Sequence, residues 1–303
     1  MKRLFIKISV FFLLFFIVDK PVGYLISEGA SKKQYDRRMA LLCRGDISAD
    51  IMITGSSRAV NDLDAKAIGE LTGMSCYNLG YSGSNLLFHE SVLKIALESG
   101  LHPKKLLLTM DHGNTFKDVE QSIYRKDKLQ PFVRFPQVYR ELCEHSNKIY
   151  WLGRFFWMYR ENDNLFPSLT YLKKGVDEAD ITSKVDERGS IILQGRSPKF
   201  NIIRQTEKEE EYREDEELPE LITSFESVVN ICKKENIQLY LIIPPALKLH
   251  FRGFVKSLED LNSGRAVILD FSEMDMDEYH YYDNGHLNEK GAASLASAIA
   301  ENL

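Results

Sequence analysis

The apolar positions of the chain fall into three textures, and each predicts a different kind of structure. From residue 50 onward, short apolar runs of strand length alternate with longer stretches whose apolar residues recur at helical spacing. This predicts strands over 50–54, 75–79, 105–110, 237–243 and 266–270, with helices near 64–72, 85–99, 218–235 and 251–261. Asn288 is a good N-cap for a last helix, on which Leu295, Ile299 and Leu303 share one face. Strands that alternate with helices argue for an α/β fold, a three-layer α/β/α arrangement around a five-stranded, mostly parallel sheet.

The second texture is residues 4–18, an apolar run rich in Phe, Leu and Ile and broken by Lys7. It is short for a spanning helix, which needs ~20 residues, but suffices if Lys7 snorkels and the helix continues to residue 26. No small-residue cleavage site follows, so residues 1–26 are expected to form an uncleaved signal anchor, with a cleaved signal peptide as the alternative. Lys2, Arg3 and Lys7 favour a cytoplasmic amino terminus, with the remainder outside the cytoplasmic membrane; Lys32, Lys33, Arg37 and Arg38 act in the opposite sense. Residues 31–44 are basic and helical in pattern, so 27–48 is expected to be a stalk or surface helix preceding an α/β domain at 49–303.

In the third texture, at about 116–217, the alternation lapses. Residues 132–171 are crowded with aromatics and Arg, and are expected to form a helical insertion over the carboxyl edge of the sheet. The rings there suit a plain core, a platform for a sugar chain or a lid against a membrane. Residues 207–217 are mostly acidic and are expected to be a solvated, mobile loop.

Chemistry enters at the end of the first strand. Gly55-Ser56-Ser57 cannot comfortably continue it, so a hydroxyl is presented on a turn at the carboxyl end of a strand, where open α/β sheets bind ligands. Ser57 is the candidate nucleophile. A serine needs a base to take its proton and a third group to orient that base. Asp283 and His286, three residues apart on a Gly-containing loop before the last helix, can place both side chains on one side of a turn. Arg58 is a candidate for an anionic substrate group or for a surface ion pair, and His112 for a substrate contact. His280, Asp283 and His286 do not form a recognised zinc pattern, and neither a metal nor a cofactor is expected.

Gly55-Ser56-Ser57, then Asn78-Leu79-Gly80-Tyr81-Ser82-Gly83, then Asp283-x-x-His286 together resemble the SGNH/GDSL hydrolase superfamily, nearest to its membrane-anchored DltD-like and AlgX/AlgJ-like branches. The resemblance implies an SGNH/flavodoxin-like fold and a triad of Ser57, His286 and Asp283. It also implies an oxyanion hole from the amides of Ser57 and Gly83. Asn114 would fall on the side-chain donor, but the family often has Gly-x-Asn-Asp where this chain reads His112-Gly113-Asn114-Thr115. The implied activity is that of a serine esterase or O-acyltransferase acting on acyl groups of a cell-envelope or exported polysaccharide, with a membrane-bound O-acyltransferase as a partner. A non-catalytic accessory that binds polysaccharide or such an acyltransferase is the alternative, kept open by Thr115.

Bulk composition changes little. The 303 residues carry a formal net charge of -5 with no basic stripe, which argues against nucleic acid. The 4 cysteines are widely spaced with no CxxC, so zinc ribbons and thioredoxin-like motifs are unsupported; buried thiols are expected, with a disulfide unforced.

Overall fold

The structure, a computed structural model, describes every residue except 1, 35, 121, 176–183, 199–207 and 248, and the side chains of 112, 208, 209, 249 and 250 lie outside the description. It divides into two compact units: Met1–Arg44 with Lys126–Lys184, and Gly45–Arg125 with Val185–Leu303. The insertion expected at 116–217 is thereby divided, because 116–125 and the described residues from 185 onward pack with the sheet.

In chain order the helices are α1 (Lys2–Lys33), α2 (Arg38–Arg44), α3 (Ser57–Asp62), α4 (Ala65–Thr72), α5 (Leu86–Glu98), α6 (Lys126–Leu129), α7 (Pro136–Glu144), α8 (Tyr150–Phe155), α9 (Trp157–Arg160), α10 (Leu165–Lys174), α11 (Pro219–Lys234), α12 (Phe254–Asn262) and α13 (Glu289–Ala300). The strands are β1 (Ile51–Thr54), β2 (Cys76–Asn78), β3 (Lys105–Thr109), β4 (Lys208–Glu211), β5 (Gln238–Ile243), β6 (Leu249–Arg252) and β7 (Val267–Asp270).

The second unit is built on a five-stranded sheet of order β2-β1-β3-β5-β7, parallel at every pairing. Sheets of this kind are covered on both faces, which explains why β1 and β3 are nearly continuous apolar runs. On one face Ile51, Ile53, Leu107 and Ile242 pack with Ala65 and Ile68 of α4 and with Leu295, Ala296 and Ile299 of α13. Helices α5 and α11 pair with each other, and Glu90 joins them by accepting from Ser224 Oγ at 2.7 Å and Ser227 Oγ at 2.5 Å. The chain passes from β1 to β2 on one side and then to β3 on the other. The carboxyl ends of β1 and β3 therefore flank the point where connections diverge, which is where such sheets open a crevice.

Three local expectations change. The acidic stretch contains β4, which pairs in parallel with β6, and the helix expected from 251 begins at Phe254 instead. Ladder bonds run between backbones, so a row of glutamates does not prevent them. The single helix expected over 31–44 is broken between α1 and α2, where Asp36 binds the Arg38 guanidinium. All four cysteines are free thiols, three of them buried.

In the first unit the two halves of α1 differ. Its later half packs on α9 and α10, with Asp19, Gly23, Ser27, Gly29 and Ala30 buried. Small residues allow the close approach: a Cβ on Gly23 would lie 2.6 Å from Trp157 Cβ, and one on Gly29 would lie 2.0 Å from Ser168 Oγ. Asp19 accepts from Trp157 N at 2.8 Å and Met158 N at 2.9 Å, capping the start of α9. The earlier half is exposed along nearly its whole apolar run. Among the described residues no helix is long and apolar enough to cross a membrane. In the continuation to residue 26 that a full span would need, Asp19 and Gly23 are buried against protein while Tyr24 and Leu25 stay exposed. Helix α10 also leaves Phe166, Leu169 and Leu172 exposed.

Gly55 holds the turn after β1 at φ 143°, and a Cβ there would lie 2.0 Å from Thr109 Oγ1 and 2.9 Å from Ala59 Cβ. Gly55→Ala is expected to cost ~2 kcal/mol or more, from backbone strain and overpacking together. The chemical-denaturation midpoint of the full chain in detergent checks this; an unchanged midpoint would show that the turn relaxes freely.

Candidate active site

The residue after that turn, Ser56, is the N-cap of α3 and accepts from Arg58 N at 3.2 Å. Ser57 is thus the first residue of the helix, half-buried, with its side chain presented at the end of β1. Its amide has no acceptor among the described residues, as expected at a helix start.

The loop after β2 closes over the same place. Tyr81 N donates to Gly55 O at 2.9 Å, while Asn78 Nδ2, from the last residue of β2, donates to Ala59 O at 2.7 Å and Leu63 O at 3.0 Å, so the strand end and its loop hold both ends of the segment that carries Ser57. Gly83 adopts φ 69°, and its carbonyl is held by Ile123 N at 3.1 Å. Its amide also has no acceptor among the described residues.

At the end of β3 the chain makes a short 3-10 turn over His112–Asn114, closed by Thr115 Oγ1 accepting from Asp111 N at 2.6 Å. Thr115, where the resemblance expects Asp, thus has a defined task. Asn114 is exposed and its side-chain amide has no partner among the described residues. The His112 side chain lies outside the described residues. Burial raises the Asp111 carboxyl; the charge of Arg58, a hydrogen bond to Ser56 and the charge of His286 partly oppose this.

The candidate base, His286, comes from the loop before α13. Asp283 Oδ1 accepts from Gly285 N, His286 N and the His286 ring Nδ1, each at 2.9 Å, so one carboxylate shapes the loop and orients the imidazole. His286 Nε2 then lies 2.8 Å from Ser57 Oγ. A carboxylate can only accept, so Nδ1 carries the proton and Nε2 is assigned as the acceptor for the Ser57 hydroxyl. The structure therefore brings Ser57, His286 and Asp283 together across 229 residues of sequence between the first two. His280 sits apart, its Nδ1 3.2 Å from Asp277 O in its own turn.

Arg58 does not face the crevice as a free cation. It is buried, with Nε donating to Asp62 Oδ2 at 2.7 Å and Nη2 to Pro245 O at 2.6 Å. Asp62 is wholly buried, and its other oxygen accepts from Leu287 N at 2.9 Å. A second tie runs from Leu247 N to Asn284 O at 2.9 Å. The helix that starts with Ser57 is thus fastened to the residue beside His286. Asp62 was not singled out in the sequence, and Asn78 was quoted there as the start of the second motif with no role assigned to it. The available signal for Asp62 was its i,i+4 spacing from Arg58, a pattern that ordinarily denotes an exposed helix pair.

These contacts set the electrostatics. Burial alone would lower the His286 imidazole, but the Asp283 hydrogen bond and the charges of Asp62 and Asp283 outweigh it and raise it above its ordinary value. Burial works against Asp283 ionising, yet the bond and charge of His286 and the loop amides hold its carboxyl below the ordinary value. Asp62 is pushed up to about 6, burial outweighing the opposing effects of Arg58, His286 and Leu287 N–H.

No family model and no curated protein matches the chain in sequence. Among solved structures it is similar to one from Desulfitobacterium hafniense DCB-2, assigned to the lipolytic proteins of the G-D-S-L family. The likeness covers 84% of this chain and 99% of that one, at 9% identity and a TM-score of 0.39, too slight to carry weight for function.

Asp62 also makes a stability prediction. Its folded value near 6 exceeds the ordinary carboxylate value of 3.8, so the folded chain holds this proton longer than the unfolded chain does. The stability it contributes is complete below about 3.8 and is lost as pH rises through about 6. Asp62→Asn, which keeps an acceptor for Leu287 N–H, is expected to remove that decline. Urea midpoints at pH 4.5 and pH 7, compared between the two proteins, measure it; identical pH slopes would refute it.

Proposed function

We propose that the protein is a serine esterase or O-acyltransferase of SGNH/GDSL type, acting on O-acyl groups, acetyl foremost, of a cell-envelope or exported polysaccharide. The observation that carries this reading is the unbroken line from Asp283 Oδ1 to His286 Nδ1 at 2.9 Å and from His286 Nε2 to Ser57 Oγ at 2.8 Å. Both lengths suit transfer of the Ser57 proton to His286 as the hydroxyl attacks an ester carbonyl.

In this mechanism Ser57 Oγ bonds to the carbonyl carbon while His286 Nε2 takes its proton. The carbonyl oxygen becomes an oxyanion, for which the unengaged amides of Ser57 and Gly83 and the side-chain amide of Asn114 are the donors. Asp283 stabilises the imidazolium. Collapse breaks the bond to the leaving sugar oxygen, which receives the proton from His286, and the acyl group stays on Ser57. His286 then deprotonates the acceptor, whose oxygen bonds to the acyl carbon; the bond from that carbon to Ser57 Oγ breaks and Oγ recovers the proton from His286. Water completes an ester hydrolysis, whereas a sugar hydroxyl completes a transfer.

The polysaccharide substrate follows from the resemblance, together with the apolar run of α1. We read that helix as a single-pass anchor in the cytoplasmic membrane, with the sheet unit on the extracytoplasmic side. A membrane-bound O-acyltransferase that hands on the acyl group fits the same setting.

A fluorophosphonate is expected to label the full chain once, with the label lost in Ser57→Ala and p-nitrophenyl acetate turnover reduced by ~10^4-fold or more. Intact mass reads the label; well-folded protein that stays unlabelled would instead fit a polysaccharide-binding accessory. Acetyl delivery to an added oligosaccharide, set against hydrolysis, separates transferase from esterase. The acid limb of kcat/KM is expected above the ordinary imidazole value of about 6.5, because His286 must be neutral to accept a proton and its value is raised. Asp62→Asn removes one of the charges that raise it and is expected to move the limb to lower pH. A variant that loses rate with its limb unmoved would leave Asp62 a purely structural part.

A further inference from the structure

We propose that α8 and α9 form an aromatic collar seated in the boundary between the headgroups and acyl chains of a lipid bilayer. The inference rests on the reading of α1 as an anchor and adds a second membrane contact to it. Residues 4–18 are apolar apart from Lys7 and Ser9 and almost all exposed, so beyond the contact of Phe15 and Phe16 with Phe156 most of that segment's circumference is not covered by protein. Asp19, the next residue, is wholly buried and caps α9. From Asp19 onward the helix begins to bury residues, Asp19 and Gly23 first, while Tyr24 and Leu25 stay exposed, and α9 begins at the level of Asp19.

Fifteen residues from Leu4 to Val18 rise ~22 Å, against a hydrocarbon core of ~30 Å. About 8 Å is left to fill. The apolar surface continues at the point where it is needed: Phe16 stacks on Phe156 with centroids 5.6 Å apart, and Phe15 meets the same ring edge-on at 5.8 Å. Beside Phe156, Trp151 and Phe155 lie one turn apart on α8 and are 61% and 60% exposed. Cations edge this surface, with Lys20 Nζ 4.9 Å from the Trp157 ring centroid and Arg154 exposed on α8. Amphipathic rings bordered by snorkelling cations are the composition of a membrane interface. An interfacial helix lies ~5–10 Å deep in that zone, which matches the missing length.

The chain has 2 tryptophans, Trp151 and Trp157, and both belong to the collar, so its own fluorescence reports on the proposal. The full chain with Trp157→Phe is reconstituted into phosphatidylcholine and phosphatidylglycerol vesicles whose acyl chains carry bromine either near the headgroup or near the chain end. Trp151 emission is expected to fall at least about twofold with the shallow label and less with the deep one. Flotation with the vesicles in alkaline carbonate reads insertion of α1 separately. A chain that floats while neither label changes its emission overturns the collar and leaves the anchor standing. A chain that does not float overturns both. Trp157 packs on Lys20 and Arg160; if its replacement loses helical circular dichroism, the difference between wild type and Trp151→Phe gives the same reading.

Discussion

The site depends on a bond made by none of its three chemical groups: the buried carboxylate of Asp62 accepting from Leu287 N–H. Ser57 belongs to a short helix fixed to β1, whereas His286 belongs to a loop near the other end of the chain. A hydrogen bond between two side chains in a half-open crevice is weak in competition with water, and would not by itself hold two such segments in register. Asp62 holds them through backbone, in a place water does not reach. Arg58 supplies the charge that makes a buried carboxylate tolerable, and its second contact reaches the loop after β5. Three segments therefore meet at one ion pair, and removing either partner would leave an uncompensated charge in the core.

The parallel sheet supplies the other half of the placement. Every strand points its carboxyl end the same way, so turns far apart in sequence gather along one edge. The divergence of connections between β1 and β3 leaves that edge uncovered beside Ser57. Close packing then fixes the details. Gly55 can have no side chain because Thr109 occupies the space, and the Gly83 turn is held from one side by Gly55 and from the other by Ile123.

Much of this was legible in the residues. Short apolar runs between helical stretches located all five strands of the sheet, most plainly β1 and β3, whose covered faces leave them apolar nearly throughout. The turn at Gly55 and the short loop joining Asp283 and His286 were legible because each is a local device whose residue types betray its geometry. What could not be read were matters of partnership. Arg58 was open to an anionic substrate group or a surface ion pair, and only the fold shows its charge spent on Asp62 in the core. The backbone pairing of β4 with β6 left no mark in an acidic sequence, because ladder bonds do not consult side chains. The division of the middle region was hidden because whether a helix rests on the sheet or on α1 depends on contacts made more than a hundred residues away.

The cap that Asp19 places on α9 has a practical meaning for anyone who wishes to handle the protein in water. Trimming away the first helix to gain solubility would remove more than a tether. It would uncap α9 and leave vacant the grooves in which Gly23 and Gly29 lie, so the neighbouring helices would meet solvent through surfaces shaped for close contact. The first helix and the aromatic region form one compact unit, and a shortened form that spares Ser57, His286 and Asp283 would still aggregate through the part left without its partner.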